Sequence, residues 1–284
     1  MAPTPPTLGS TPAKPGRSSA LRRRALGQHF LRDFGIARAI VDLAAPTAQD
    51  LVVEIGPGEG ALTGELARRA SRVIALEVDA VLTGKLRARF SAGDVEVIDA
   101  DARTWDYGAL VAPPGGRVLI VGNLPYSVAK PILQALVTAR AAIATMTLIL
   151  QREVAQRLAA PPGSKTYGSL SVFTQLYCDV RLVLHVPPGA FRPPPKVDSA
   201  VVQLSVRSGP RVRIGDERWF HSVVIAAFGQ RRKMLANALA AGLGRPIESV
   251  REAAGAAAID PARRAETLTI EDFAGLADRL SPWT

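Results

Sequence analysis

Asn123-Leu124-Pro125-Tyr126 is the stretch whose residue types combine most directly into chemistry. The Asn123 side-chain oxygen and the Leu124 carbonyl can both accept hydrogen bonds from one exocyclic amine, and Tyr126 can stack on a planar base. Pro125 fixes its own φ and keeps Leu124 out of the helical region, which can turn that carbonyl outward. Together the four residues make a seat for the amino group of an adenine taken out of its stack. The blander reading is a polar turn before a helix starting near Ala129, and four residues alone do not separate the two. The apolar run Val118-Leu119-Ile120-Val121 and Gly122 come first and read as a buried strand. The motif therefore sits past a strand's carboxyl end, where open α/β sheets bind ligands.

A second candidate site lies upstream. The strand Leu51-Val52-Val53-Glu54-Ile55 runs into Gly56-Pro57-Gly58-Glu59-Gly60, then a helix through Leu62, Leu66 and Ala67. Glycines in such a turn let a ligand approach the backbone closely. The third glycine comes one residue early for a dinucleotide fingerprint, and Glu59 stands where a pyrophosphate would need room. Charge repulsion there favours a cationic, phosphate-free nucleoside such as S-adenosylmethionine over NAD. Glu77 ends the next strand, Arg72 to Leu76, roughly 20 residues beyond the turn, where an acid typically bonds ribose hydroxyls. Asp79 is the better helix cap. After the strand Val95 to Ile98 come Asp99, Asp101 and Asp106. Asp101 is placed to accept from the cofactor's adenine amino group, although three acids in one loop also describe a solvated face.

The elements that must position these residues alternate along the chain. A helix from Asp33 to Ala45, capped by Asp33 and ended by Pro46, precedes the first strand. Beyond the opening motif the pattern predicts a helix from Pro131 to Arg140, a strand from Thr145 to Leu150, and a short helix entered through Gln151-Arg152-Glu153. Pro161 to Gly168 reads as a mobile loop, and Ser169 to about Cys178 as a helix. Strands at Arg181–Val186 and Ser199–Val206 lie too close for a crossover helix and should form an antiparallel edge. Between them, in Phe191-Arg192-Pro193-Pro194-Pro195-Lys196, Phe191 is a candidate second stacking wall opposite Tyr126, and Arg192 and Lys196 can meet phosphate. A rigid connection with no ligand is the alternative. After about residue 208 only helices are signalled, at Asp216–Phe228, Arg231–Ala241, Pro246–Ala256 and Thr269–Leu280, the last with a Thr269/Asp272 capping box. Arg231, Arg232 and Lys233 fall at one predicted helix start, where the dipole disfavours cations unless an anion is near. The expected architecture is α/β. A Rossmann-like parallel sheet with an antiparallel edge fills 25–207, a small all-α domain fills 208–284, and each has its own core.

Composition narrows the partners. A net charge of +10 points to an anionic partner, most simply nucleic acid. Residues 1–24 carry five Lys and Arg and no acid among Pro, Ser, Thr and Ala, and read as a disordered basic arm. That arm fits RNA contact, a solvated tail or an organelle transit peptide. The single Cys178 allows no intramolecular disulfide and favours a reducing, cytoplasmic setting. His29, His185 and His221 are scattered without zinc-site spacing, no apolar run reaches membrane-spanning length, and no dimer seam shows, so a monomer is expected.

GQHFL (27–31), EIGPGEG (54–60), NLPY (123–126), YGSLSV (167–172), FRPPPKVDSAVV (191–202) and FGQRRKML (228–235) form an ordered set. It resembles that of the ribosomal RNA adenine dimethyltransferases, specifically the small-subunit dimethyladenosine transferases. The resemblance implies S-adenosylmethionine as methyl donor and two adjacent adenines near the 3′ end of small-subunit ribosomal RNA as acceptors. It implies that His29 and Leu31 touch the cofactor's methionine end and that Gly56 and Gly58 belong to its loop. Glu77 would hold its ribose, Asp101 its adenine, and Asn123 would lie between cofactor and target. The family often has Asn where this chain has His29. Two alternatives stand beside this reading: the related large-subunit methyltransferases of macrolide resistance, and a mainly non-enzymatic ribosome-assembly factor.

Overall fold

The structure, a computed structural model, describes residues 29–90, 93 and 95–281. The basic arm, with Gly27 and Gln28, lies outside the described residues. Strands β1 (Phe30–Leu31) to β9 and helices α1 (Phe34–Ala44) to α10 build one seven-stranded sheet, one two-stranded ribbon and covering helices.

Five strands run parallel: β2 (Leu51–Ile55), β3 (Arg72–Glu77), β4 (Val95–Asp99), β5 (Val118–Asn123) and β6 (Thr145–Gln151). Two antiparallel strands, β7 (Cys178–Val186) and β9 (Ser199–Val206), complete the order β4-β3-β2-β5-β6-β9-β7. The antiparallel edge expected from the short connection is therefore present. β8 (Phe191–Arg192) pairs instead with β1.

Period-two alternation divides each strand between two layers. Val52, Val73, Ala75, Leu119 and Val121 face a core completed by α1, α2 (Thr63–Ala67) and α3 (Ala80–Arg89). Val53, Ile55, Ile74, Leu76 and Ile120 face the other. That second layer is built by α4 (Ala129–Thr138), α5 (Arg152–Leu158) and α6 (Ser169–Tyr177). It continues without interruption into α7 (Glu217–Gly229), α8 (Leu235–Leu243), α9 (Ile247–Ala256) and α10 (Ile270–Arg279). Phe220, Phe273 and Leu276 belong to the same cluster as Ile120 and Leu148, so the helical part shares the sheet's core and does not close around one of its own.

Segment 161–168, expected to be mobile, is docked. Tyr167 is buried edge-on against Phe228 with ring centroids 6.0 Å apart, and Gly163 N donates to Glu266 O at 2.7 Å. An aromatic with an apolar slot to fill outweighs the turn-forming composition around it. Another difference concerns Arg231, Arg232 and Lys233. Gln230 leaves helical geometry at ψ 70 and α8 begins only at Leu235, so the three cations occupy a turn and not the first turn of a helix. The N-caps Asp33 and Asp79 and the Thr269/Asp272 capping box form as their spacing predicts.

Among the described residues no helix is long and apolar enough to cross a membrane, and no group of His, Cys, Asp and Glu could hold a metal ion.

At the amino ends of β2 and β5, buried Asp50 accepts from Thr47 N, Thr47 Oγ1, Arg117 N and the Arg117 guanidinium at 2.7–3.1 Å. The guanidinium, opposed by burial and aided by Thr47, holds this carboxyl well below the usual range. Asp50→Ala strands two backbone N–H donors and a guanidinium, and should lower the unfolding free energy by on the order of 2–3 kcal/mol in urea at pH 7. The native group titrates below its unfolded value, so its contribution is complete above about pH 4 and fades as acid is added. The gap between wild type and variant should narrow accordingly.

Candidate active site

The carboxyl ends of β2, β3 and β5 open into one cleft of about 670 Å³. Its floor is set by register. Ile55 pairs with both Leu76 and Gly122, so the glycine turn, Glu77 and Asn123 leave the sheet side by side. A Cβ on Gly122 would stand 2.5 Å from Ile55 O, which reserves that place in β5 for glycine.

Gly56 and Gly58 hold φ of 66 and 57, backbone that L side chains rarely adopt. Gly58 N donates to Glu77 Oε2 at 3.2 Å, while Val78 N and Asp79 N donate to Glu77 Oε1 at 3.0 Å. The buried Glu77 carboxyl is raised by burial, and these three N–H groups pull against that shift. Beneath the turn, burial pushes Glu54 up to about 8, countered by Thr63 and reinforced by the charge of Glu77. Asp101 lines the opposite side, held by the loop in which Thr104 N and Trp105 N donate to its carbonyl and Tyr107 OH donates to Ala102 O. Asp106 only caps the next turn. Both carboxylate oxygens of Asp101 are engaged by Arg103 at 2.5–3.0 Å, which lowers its pKa.

Glu59, whose charge the sequence set against a pyrophosphate, does not line this cleft. Arg32 pairs with its carboxylate at 2.5 Å and Arg89 donates to its carbonyl at 2.8 Å. What selects the ligand instead is the lining, which among the described residues holds Glu77 and Asp101 but no lysine or arginine. Asp101 is paired with Arg103, while Glu77 has no cationic partner among the described residues, and a lining of this kind suits a nucleoside without phosphates.

On the far side of the cleft, Asn123 Nδ2 donates to His29 O at 2.8 Å. An amide must turn its nitrogen to a carbonyl, so Oδ1 is left as the free acceptor. Leu124 N extends the ladder to Ile149 O at 3.2 Å, its side chain is buried, and its carbonyl accepts no backbone hydrogen bond among the described residues. Tyr126 lies beside His29 with ring centroids 5.5 Å apart and meets Ser199 Oγ through its hydroxyl at 2.6 Å. His29 Nδ1 donates to Pro193 O at 2.7 Å.

His29, Gly56, Gly58, Glu77, Asp101, Asn123, Leu124 and Tyr126 thus converge on one cleft. Others singled out from sequence do not. Leu31 is 5% exposed and packs into the α1 core. Phe191, its partner across the β1–β8 ribbon, is 3% exposed in that core, so its ring offers no open face opposite Tyr126. Arg192 and Lys196 are exposed outside this cleft. Arg231 is tied to Lys165 O and Glu266, and holds the 161–168 segment, while Arg232 and Lys233 are exposed. Sequence reasoning missed Phe30 and Val78 in the lining and Ser199 behind Tyr126. Phe30 and Ser199 lay inside quoted motifs, but nothing in their type marked them.

Fold and cleft together define a Rossmann-like, S-adenosylmethionine-dependent methyltransferase. The family model for ribosomal RNA adenine dimethylase matches residues 20–281, and the chain belongs to that family. A ribosomal RNA small subunit methyltransferase A from Geobacillus thermodenitrificans is 44% identical over 95% of this chain and 97% of its own length. One from Xanthomonas axonopodis pv. citri is 46% identical over 92% and 97%. Among solved structures, the 23S rRNA methyltransferase ErmE superposes with TM-score 0.67 at 30% identity, covering 88% of this chain and 99% of that one. A dimethyladenosine transferase from Plasmodium falciparum gives 0.74 at 24% identity, covering 87% and 96%, and shares the fold.

A Cβ on Gly58 would stand 2.7 Å from the Phe30 ring. Gly58→Ala should push that ring into the cleft and add strain of about 1–2 kcal/mol at positive φ. The expected result is cofactor binding weakened at least about tenfold by calorimetry, with KM for RNA little changed.

Proposed function

We propose that this protein transfers methyl groups from S-adenosylmethionine to the exocyclic amines of two adjacent adenines near the 3′ end of small-subunit ribosomal RNA, giving dimethyladenosines during subunit biogenesis. The observation that carries this reading is the Asn123 amide, turned by His29 O so that Oδ1 is free beside the Leu124 carbonyl and the Tyr126 ring. The small-subunit names of relatives at 44% and 46% identity favour the small subunit over the large-subunit assignment that ErmE bears at 30%.

Glu77 and Asp101 would hold the nucleoside end of the cofactor, with Gly56, Gly58 and His29 along its length. Bound there, the cofactor supplies an electrophilic methyl group on a sulfonium. Asn123 Oδ1 and the Leu124 carbonyl accept from the target amine and hold its nitrogen toward that methyl. Tyr126, fixed by Ser199, stacks on the base. Glu77 already receives three backbone N–H groups and Asp101 receives Arg103, so neither is poised as a general base. The chain's contribution is positioning. Exposed Arg192, Lys196, Arg232 and Lys233 would meet RNA phosphates, which fix register without reading sequence.

Labelled S-adenosylmethionine offered to undermethylated small subunits should yield dimethyladenosine in their RNA, and large subunits offered in parallel should stay unlabelled. Label only in large subunits would overturn the assignment. Asn123→Ala should lower turnover at least about 10²-fold with an unchanged melting temperature, because a misplaced amine loses the attack geometry. Tyr126→Ala should instead raise KM for the subunit about tenfold or more, the worth of one base stacked on an aromatic ring.

A further inference from the structure

One strand over from the target seat lies a separate open cleft of about 900 Å³. Gln151, the last residue of β6, pairs with Ser199, the first of β9, and Ser199 Oγ touches the Tyr126 hydroxyl. Asp198 precedes Ser199 and lines the cleft, so the cleft adjoins Tyr126 through Ser199 and shares no lining residue with the cofactor pocket. Its base is braced. Arg152 N donates to Asp198 O at 2.9 Å, and the side chains of Arg152 and His185 stand 3.6 and 3.5 Å from the Asp198 carboxylate.

Three features of the walls match a nucleotide. The amides of Gln151 and Gln156 each carry donors and an acceptor, and neither is bonded to another side chain or to backbone among the described residues. A side-chain amide pairs two-pronged with an adenine edge, and splayed single-stranded RNA exposes such edges. Val197, 47% exposed, and Pro188 supply an apolar surface against which a base can lie flat. Lys196 is exposed on the same wall, makes no ion pair among the described residues, and is free to meet a phosphate.

We infer that this cleft holds the nucleotide next to the target base in the RNA chain and reads its base edge through Gln156. The inference rests on the RNA-adenine reading above, under which that neighbour is the second adenine of the pair. A base extruded into the Tyr126 seat leaves its neighbour unstacked on one side, and the cleft, which adjoins Tyr126 through Ser199 and Asp198, gives that neighbour a surface and hydrogen-bond partners. The enzyme would then sense the pair, and not each adenine separately.

Gln156 projects from α5, where alanine is well tolerated. Gln156→Ala and wild type would be compared on undermethylated small subunits carrying either the adenine pair or a uridine in place of the neighbouring adenine. On the natural pair the variant should show KM for the subunit raised about tenfold, the scale of one base-edge contact, with KM for S-adenosylmethionine unchanged. Wild type should lose a similar factor on the uridine subunits, and the variant should fall less than about twofold further there, because the contact is already gone. Full multiplication of the two penalties, or a variant equal to wild type on the natural pair, would overturn the inference. Failure of wild type to methylate any small subunit would overturn the underlying reading and this inference with it.

Discussion

The register of β2, β3 and β5 is the constraint on which the rest of the structure depends. Each strand contributes one part of the site at its carboxyl end: the glycine turn, Glu77 and Asn123. A one-residue slip would exchange the faces of every side chain in the slipped strand and carry its functional residue out of the cleft. Two devices hold the register. At the amino ends Asp50 ties β2 to β5 through Arg117, and at the carboxyl ends Gly122 lets Ile55 O come close.

On this frame the site is closed by residues remote in sequence. His29 receives Asn123 through its carbonyl and reaches Pro193 through its ring, so a segment before the first helix connects the end of β5 with the proline-rich connection before β9. Ser199 completes the ring of contacts through Tyr126. The identity of residue 29 therefore bears on the side chain's bond to Pro193, while the backbone bond to Asn123 does not depend on it. Phe191 lends the same connection stability from the core side, which is a packing role and not a stacking one.

The helical part is continuous with the catalytic layer. Tyr167, Phe228 and Phe273 pack in succession, edge-on and then tilted, and Arg231 pairs with Glu266 and donates to Lys165 O. Motions of the helices relative to the sheet would have to break an apolar core. Exposed Arg232 and Lys233 are accordingly carried on a turn between helices packed into the sheet's own core.

By itself the sequence determined the parallel sheet, its antiparallel edge, the Asp33, Asp79 and Thr269 caps, and the segments from which the cleft is made. Those features are local: alternation, run length, turn residues and capping atoms act within a few residues of one another. Only the tertiary structure decided which candidate of each type does what. Asp101 rather than Asp99 or Asp106 faces the cleft because a hydrogen-bonded loop turns it there. Glu59 is paired with Arg32, which no spacing pairs with it, and Arg231 is tied down while Arg232 remains exposed. Burial of Phe191 and the docking of Tyr167 follow from apolar slots assembled by distant strands and helices. Charge partners and buried surfaces are properties of the folded chain, and sequence neighbourhood does not encode them.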